Sequence, residues 1–187
     1  EVDHYFSEHG IIYARYSDHI IIFAEDYDTL MKHKSVILGF LKEYKLNVNP
    51  SKERIYTPDE PYEFLGFKCH GKSIAISKVG IEKMKGKIRR KTRSILRWKQ
   101  RKGISSEKAM ARLIGHFNRV FFEQSSLEQS LTWSRWYFPI INSTEGLREI
   151  DHFLQQKIRV VAAERHNKSM YNITYDTLKR LGYKSLV

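Results

Sequence analysis

The chain has 187 residues, 41% hydrophobic and 13% aromatic, with 33 Lys and Arg against 21 Asp and Glu for a net charge of +12. That apolar content excludes a disordered polymer, no run approaches the roughly 18 apolar residues of a membrane span, and the N-terminus is not a signal peptide. The single cysteine, Cys69, excludes an internal disulfide and fits a reducing compartment. The length suits one domain or two small ones, and the charge favours a polyanionic partner, nucleic acid or an anionic membrane surface.

The first part of the chain reads as strands and one helix. Residues 11–16 and 20–24 are β-rich runs flanking Ser17-Asp18-His19, which predicts a hairpin with polar residues at its tip. Asp28 is expected to cap a helix that places Leu30, Ile37, Leu41 and Tyr44 on one face. Asn47, Asn49 and Pro50 mark a turn, and residues 55–57 read as a short strand. Residues 64–69 and 73–77 form a second hairpin candidate around Gly71-Lys72.

From Lys78 the pattern turns helical. Ile81, Met84, Ile88, Ile95 and Trp98 recur at helical spacing up to a stop at Gly103. The same 25 residues, Lys78–Lys102, hold 12 cations and one acid, Glu82, so that nearly the whole net charge lies here. At 100° per residue, Lys83, Lys87, Arg90, Arg97 and Arg101 share a stripe about 120° from the apolar face and about 27 Å long. One-signed charge at this density repels itself unless a polyanion neutralises it, so the stripe predicts contacts to a nucleic-acid backbone. A basic amphipathic helix also suits a membrane surface, but the modest apolar face and the globular flanks speak against that.

Ser105 or Ser106 is expected to cap a second helix, with Met110, Leu113, Ile114, Phe117 and Phe121 on one face. Trp133, Trp136, Tyr137 and Phe138 form an aromatic cluster, stopped by Pro139, that suits core packing better than base stacking. A third helix carries Leu147, Ile150, Leu154, Ile158 and Val161, and a short fourth holds Leu178 and Leu181 before Gly182. The histidines, His166 among them, show no zinc-type spacing. The natural boundary is near Ser77, where strand chemistry gives way to helices.

Three motifs in order narrow this further. Tyr13-Ala14-Arg15-Tyr16-Ser17-Asp18-His19-Ile20-Ile21-Ile22-Phe23-Ala24 resembles the Tyr-x-Asp-Asp hairpin of bacterial and group II intron-type reverse transcriptases. Leu46-Asn47-Val48-Asn49-Pro50-Ser51-Lys52-Glu53-Arg54-Ile55 resembles that family's motif D, a helix running into Leu-x-Leu-Asn-x-x-Lys-Thr. Phe64-Leu65-Gly66-Phe67 matches its motif E, the primer grip, and a basic helix follows as it does there.

The resemblance implies an α+β chain: 1–77 as the C-terminal half of a polymerase palm, 78–187 as a basic, all-helical thumb. It implies that Asp18 is a catalytic ligand for paired Mg²⁺ ions. Lys52 would lie near the incoming nucleotide, and Phe64, Leu65, Gly66 and Phe67 against the primer end. The implied partner is an RNA template with its DNA primer, or structured RNA, in a cytoplasmic setting of bacterial type and without a membrane. Two departures qualify it. Position 19 is histidine where the family has its second aspartate, and imidazole is a poor Mg²⁺ ligand. Nothing before Tyr13 resembles the fingers or the palm strand that bears the other essential aspartate, so those parts are expected in a preceding portion of the protein. Two-metal phosphoryl transfer needs carboxylates from both strands, so this chain alone is expected to be inactive. The alternative is a non-catalytic, maturase-like nucleic-acid binder on a decayed scaffold of the same family.

Overall fold

A computed structural model describes residues 2–123, 133–164, 170 and 172–187; His166 lies outside them. The chain forms two compact units that divide between Pro58 and Asp59. Strands give way to a long helix at Ser77, within the second unit.

The first unit opens with a helix, α1 (Val2–Glu8), where the sequence suggested no element. Phe6 is its reason: the ring is fully buried and stacks on Tyr13 at 4.4 Å. The expected hairpin follows as β1 (Tyr13–Tyr16) and β2 (His19–Ile22), antiparallel, with Tyr16 opposite His19 and a two-residue turn at Ser17-Asp18. Helix α2 (Tyr27–Glu43) buries Ile37, with Leu30 and Leu41 half-buried, while Tyr44 stays exposed. Its N-cap is Asp26, not the expected Asp28. Asp26 has extended backbone angles and accepts from the Thr29 amide at 2.8 Å, whereas Asp28 lies in the first turn. A 3₁₀ turn (Pro50–Lys52) is capped by Asn49, whose side chain accepts from the Ser51 amide at 3.0 Å. Residues 55–57 are not a strand: the run is short, ends at Pro58, and finds no strand partner among the described residues.

The second unit begins with a three-stranded antiparallel sheet, β3 (Tyr62–Phe64), β4 (Phe67–His70) and β5 (Ser73–Ile76), in that order. Residues 64–69 are therefore not one strand. Leu65 and Gly66 have φ of 50° and 88°, two positive values that turn the chain tightly between β3 and β4, with Phe64 opposite Phe67. The outer edge of β5 is blocked by Asn142, whose side chain accepts from the Ile74 amide at 2.7 Å and donates to the Lys72 carbonyl at 2.6 Å.

Ser77 caps α3 (Lys78–Lys102) through the Gly80 amide at 3.1 Å, and Gly103, at φ 58°, ends it in the left-handed region. Ser105 caps α4 (Ser106–Phe122). A short α5 (Trp133–Trp136) precedes α6 (Glu145–Ala163) and α7 (Tyr175–Arg180). Helices α3, α4 and α6 pack on one another around Ile88, Ile95, Leu113, Phe117, Ile150 and Ile158. Ile76 of β5 joins the same core, which fixes the sheet to the helices. Asp151, itself buried, ties down the C-terminal segment: it accepts from the Tyr183 hydroxyl at 2.6 Å and the Leu186 amide at 2.9 Å. Among the described residues no helix is long and apolar enough to cross a membrane.

Candidate catalytic tip and nucleic-acid interface

The β1–β2 turn holds Ser17 at φ 56°, an uncommon backbone for a residue with a side chain. Asp18 beside it is 80% exposed, and His19 Nδ1 lies 3.0 Å from its Oδ1. The carboxyl is held below the usual carboxylate range by its own backbone amide first, then by the hydrogen bond and charge of His19. The charge of Lys52 lowers it a little further, so Lys52 lies within electrostatic reach of the tip. Behind the tip, Arg15 Nε donates to Asp3 at 2.9 Å and the Tyr13 hydroxyl donates to the same carboxylate. These bonds hold Asp3 well below the usual range and fix the hairpin to α1.

The residues present do not amount to a Mg²⁺ cradle. Magnesium takes an octahedral set of hard oxygens. The tip offers one carboxylate, already hydrogen-bonded, and one imidazole, and no cluster of three or more metal-binding side chains exists among the described residues.

The Phe64–Phe67 turn is held from behind by aromatic side chains. Phe67 is buried, with ring centroids 5.2 Å from Tyr137 and 6.0 Å from Trp136, while Phe64 is half-buried. A Cβ on Gly66 would lie 2.8 Å from the Tyr137 hydroxyl, so the close approach that this glycine permits is made by Tyr137. The Ser77 amide donates to the Gly66 carbonyl at 2.9 Å, joining the turn to the start of α3.

On α3 the five stripe residues Lys83, Lys87, Arg90, Arg97 and Arg101 are all exposed, and none pairs with an acid among the described residues. Arg97 and Arg101 line a shallow concavity of about 440 Å³ together with Ser94 and Gln100. Three other cations of the helix are committed elsewhere. Lys85 bridges Glu82 and Glu149, and Arg89 approaches Glu82 at 3.6 Å. Lys99 is buried, 2.7 Å from Glu164, and donates to the Val161 carbonyl at 3.3 Å, so it closes the C-terminus of α6 instead of facing solvent. Composition alone counts Lys99 with the stripe. The helical arithmetic separates it, because four residues after Ile95 and seven after Thr92 is the apolar face. Sequence reasoning also missed that Trp133 and Tyr137 come to lie beside Lys83, Lys87 and Arg90, in one groove of about 940 Å³.

Compared with known proteins, residues 1–69 match the family model described as reverse transcriptase (RNA-dependent DNA polymerase). The match covers the first unit and runs through β3 into β4. No curated protein matches the chain.

Proposed function

We propose that the chain is part of an RNA-directed DNA polymerase of the bacterial or group II intron type. In this reading residues 1–77 are palm and 78–187 are thumb, and α3 grips a template–primer duplex. The family match over residues 1–69 supports the first half of the reading. The observation that carries it is the α3 stripe: five exposed cations on one helix face, unpaired among the described residues, on a helix whose Lys85 and Lys99 are neutralised by acids. Such a face gains free energy by displacing the counterions of a phosphate backbone, whatever the sequence of the bases.

The chain's own residues then divide the work. The stripe binds and aligns the duplex, the Phe64–Phe67 turn lies next to its primer strand, and Lys52 screens phosphate charge near Asp18. Asp18 is one carboxylate of a site whose remaining ligands lie outside the described residues.

A second reading, a non-catalytic and maturase-like RNA binder, is favoured by one specific observation: His19 occupies the second tip position and engages Asp18 at 3.0 Å. Fluorescence anisotropy with RNA–DNA hybrids of unrelated sequence tests what the readings share. Similar affinities for all sequences are expected, unchanged by Asp18→Asn; strong dependence on base sequence, or no binding, would sink both. Primer extension by the full-length protein separates them, since only the polymerase reading predicts synthesis that Asp18→Asn abolishes.

A further inference from the structure

Arg15 joins α1 to the turn that presents Asp18. Its Nε donates to Asp3 Oδ1 at 2.9 Å and its Nη2 to Asp3 Oδ2 at 2.5 Å, a two-point grip on the carboxylate. Nη1, the remaining nitrogen of the planar fork, donates to the Ser17 carbonyl at 3.5 Å. The Asp3 end is itself anchored, because the Tyr13 hydroxyl donates to the same carboxylate and the Tyr13 ring stacks on the fully buried Phe6. The Ser17 end needs an anchor: its φ of 56° is left-handed, a conformation that costs energy in a residue with a Cβ.

Arg15 and Asp3 remain 42% and 53% exposed, and an ion pair so exposed adds little to stability. The place it reaches explains it better, since the Ser17 carbonyl belongs to the peptide that leads into Asp18. We propose that Arg15, held by Asp3, is a positioning residue: it fixes Ser17 in the left-handed turn and so aims the Asp18 carboxylate. The fixing of the turn stands on these contacts alone; its effect on synthesis rests on the polymerase reading.

Arg15→Lys keeps a positive charge beside Asp3, but one ammonium cannot span the carboxylate and the Ser17 carbonyl as the fork does. Two measurements test the variant: ¹⁵N relaxation dispersion on the chain, and primer extension by the full-length protein. The unfolding midpoint should hardly move. The Asp18 and His19 amide signals, sharp in the wild type, should broaden through exchange on the μs–ms scale. In primer extension kcat should fall about tenfold, with the nucleotide KM and the hybrid affinity unchanged. Asp3→Asn should act in the same way. Adding Ser17→Asn, a residue that tolerates the left-handed region, should restore sharp signals and most of the rate to Arg15→Lys; a merely structural ion pair would not be rescued from that position. Sharp tip signals in Arg15→Lys, a loss that Ser17→Asn does not recover, or a raised KM at unchanged kcat would each overturn the proposal. If the wild type synthesises DNA and both single variants match it, the positioning role falls and the polymerase reading stands. If the wild type makes no DNA, the polymerase reading falls, and the relaxation data alone decide whether Arg15 fixes the turn.

Discussion

The hydroxyl of Tyr137 occupies the space that a side chain on Gly66 would need: a Cβ at position 66 would lie 2.8 Å from it. Gly66 also has φ of 88°, so Gly66→Ala is strained by its backbone as well as by contact. A loss of about 1–3 kcal/mol is expected in urea unfolding. Tyr137→Phe should relieve part of the loss in the double variant, because the contact is with the hydroxyl. Additive losses would mean that the contact does not set the turn.

Lys99 and Lys87 predict opposite outcomes on one helix. Lys99→Ala removes a buried cation from Glu164 and two α6 carbonyls, and should cost about 2 kcal/mol of stability with little change in duplex binding. Lys87→Ala removes an exposed cation; it should leave stability within about 0.5 kcal/mol and weaken binding. Thermal melts beside anisotropy titrations check both.

The C-terminal latch gives a pH prediction. Burial first, and the bond to Asp151 second, push the Tyr183 hydroxyl far above its ordinary value of 10.0. A folded-state value above the unfolded one stabilises fully below pH 10 and is lost as the pH rises past it, because only the unfolded chain then releases the proton. Stability should therefore fall above about pH 10, and Tyr183→Phe should flatten that fall at a cost of about 1 kcal/mol near neutrality. An unchanged alkaline limb in Tyr183→Phe would place the titrating group elsewhere.

Much of this fold was legible because its signals are local. Ser77, Ser105 and Gly103 cap their helices as their chemistry dictates, and the apolar spacing of α3, α4 and α6 names the core they share. Helix α1 was not legible: its seven residues are too few for a periodic signal, and Phe6 is buried against Tyr13 of the hairpin. The same holds for the groove, since Trp133 and Lys83 are fifty residues apart in sequence and meet only through packing. At the tip, Asp18 and His19 were legible as neighbours, but their mutual hydrogen bond and the pull of Lys52 were not.

The tip predicts a metal preference. In the full-length protein, His19→Asp replaces an imidazole that competes for Asp18 with a hard carboxylate, and should raise primer extension in Mg²⁺. The chain of residues 1–187 by itself is expected to show no synthesis with Mg²⁺ or Mn²⁺. Full activity of the His19 protein, unaltered by His19→Asp, would show that the second position is dispensable.

The claim that α3 is the nucleic-acid interface is tested most directly by the salt dependence of hybrid binding. Each phosphate neutralised contributes about −0.9 to the slope of log affinity against log salt. The wild type should show a slope of several units, and reversing the charges of Lys87, Arg90 and Arg97 together should flatten it by about three. A slope near zero in the wild type, or one that the triple variant leaves unchanged, would contradict the account.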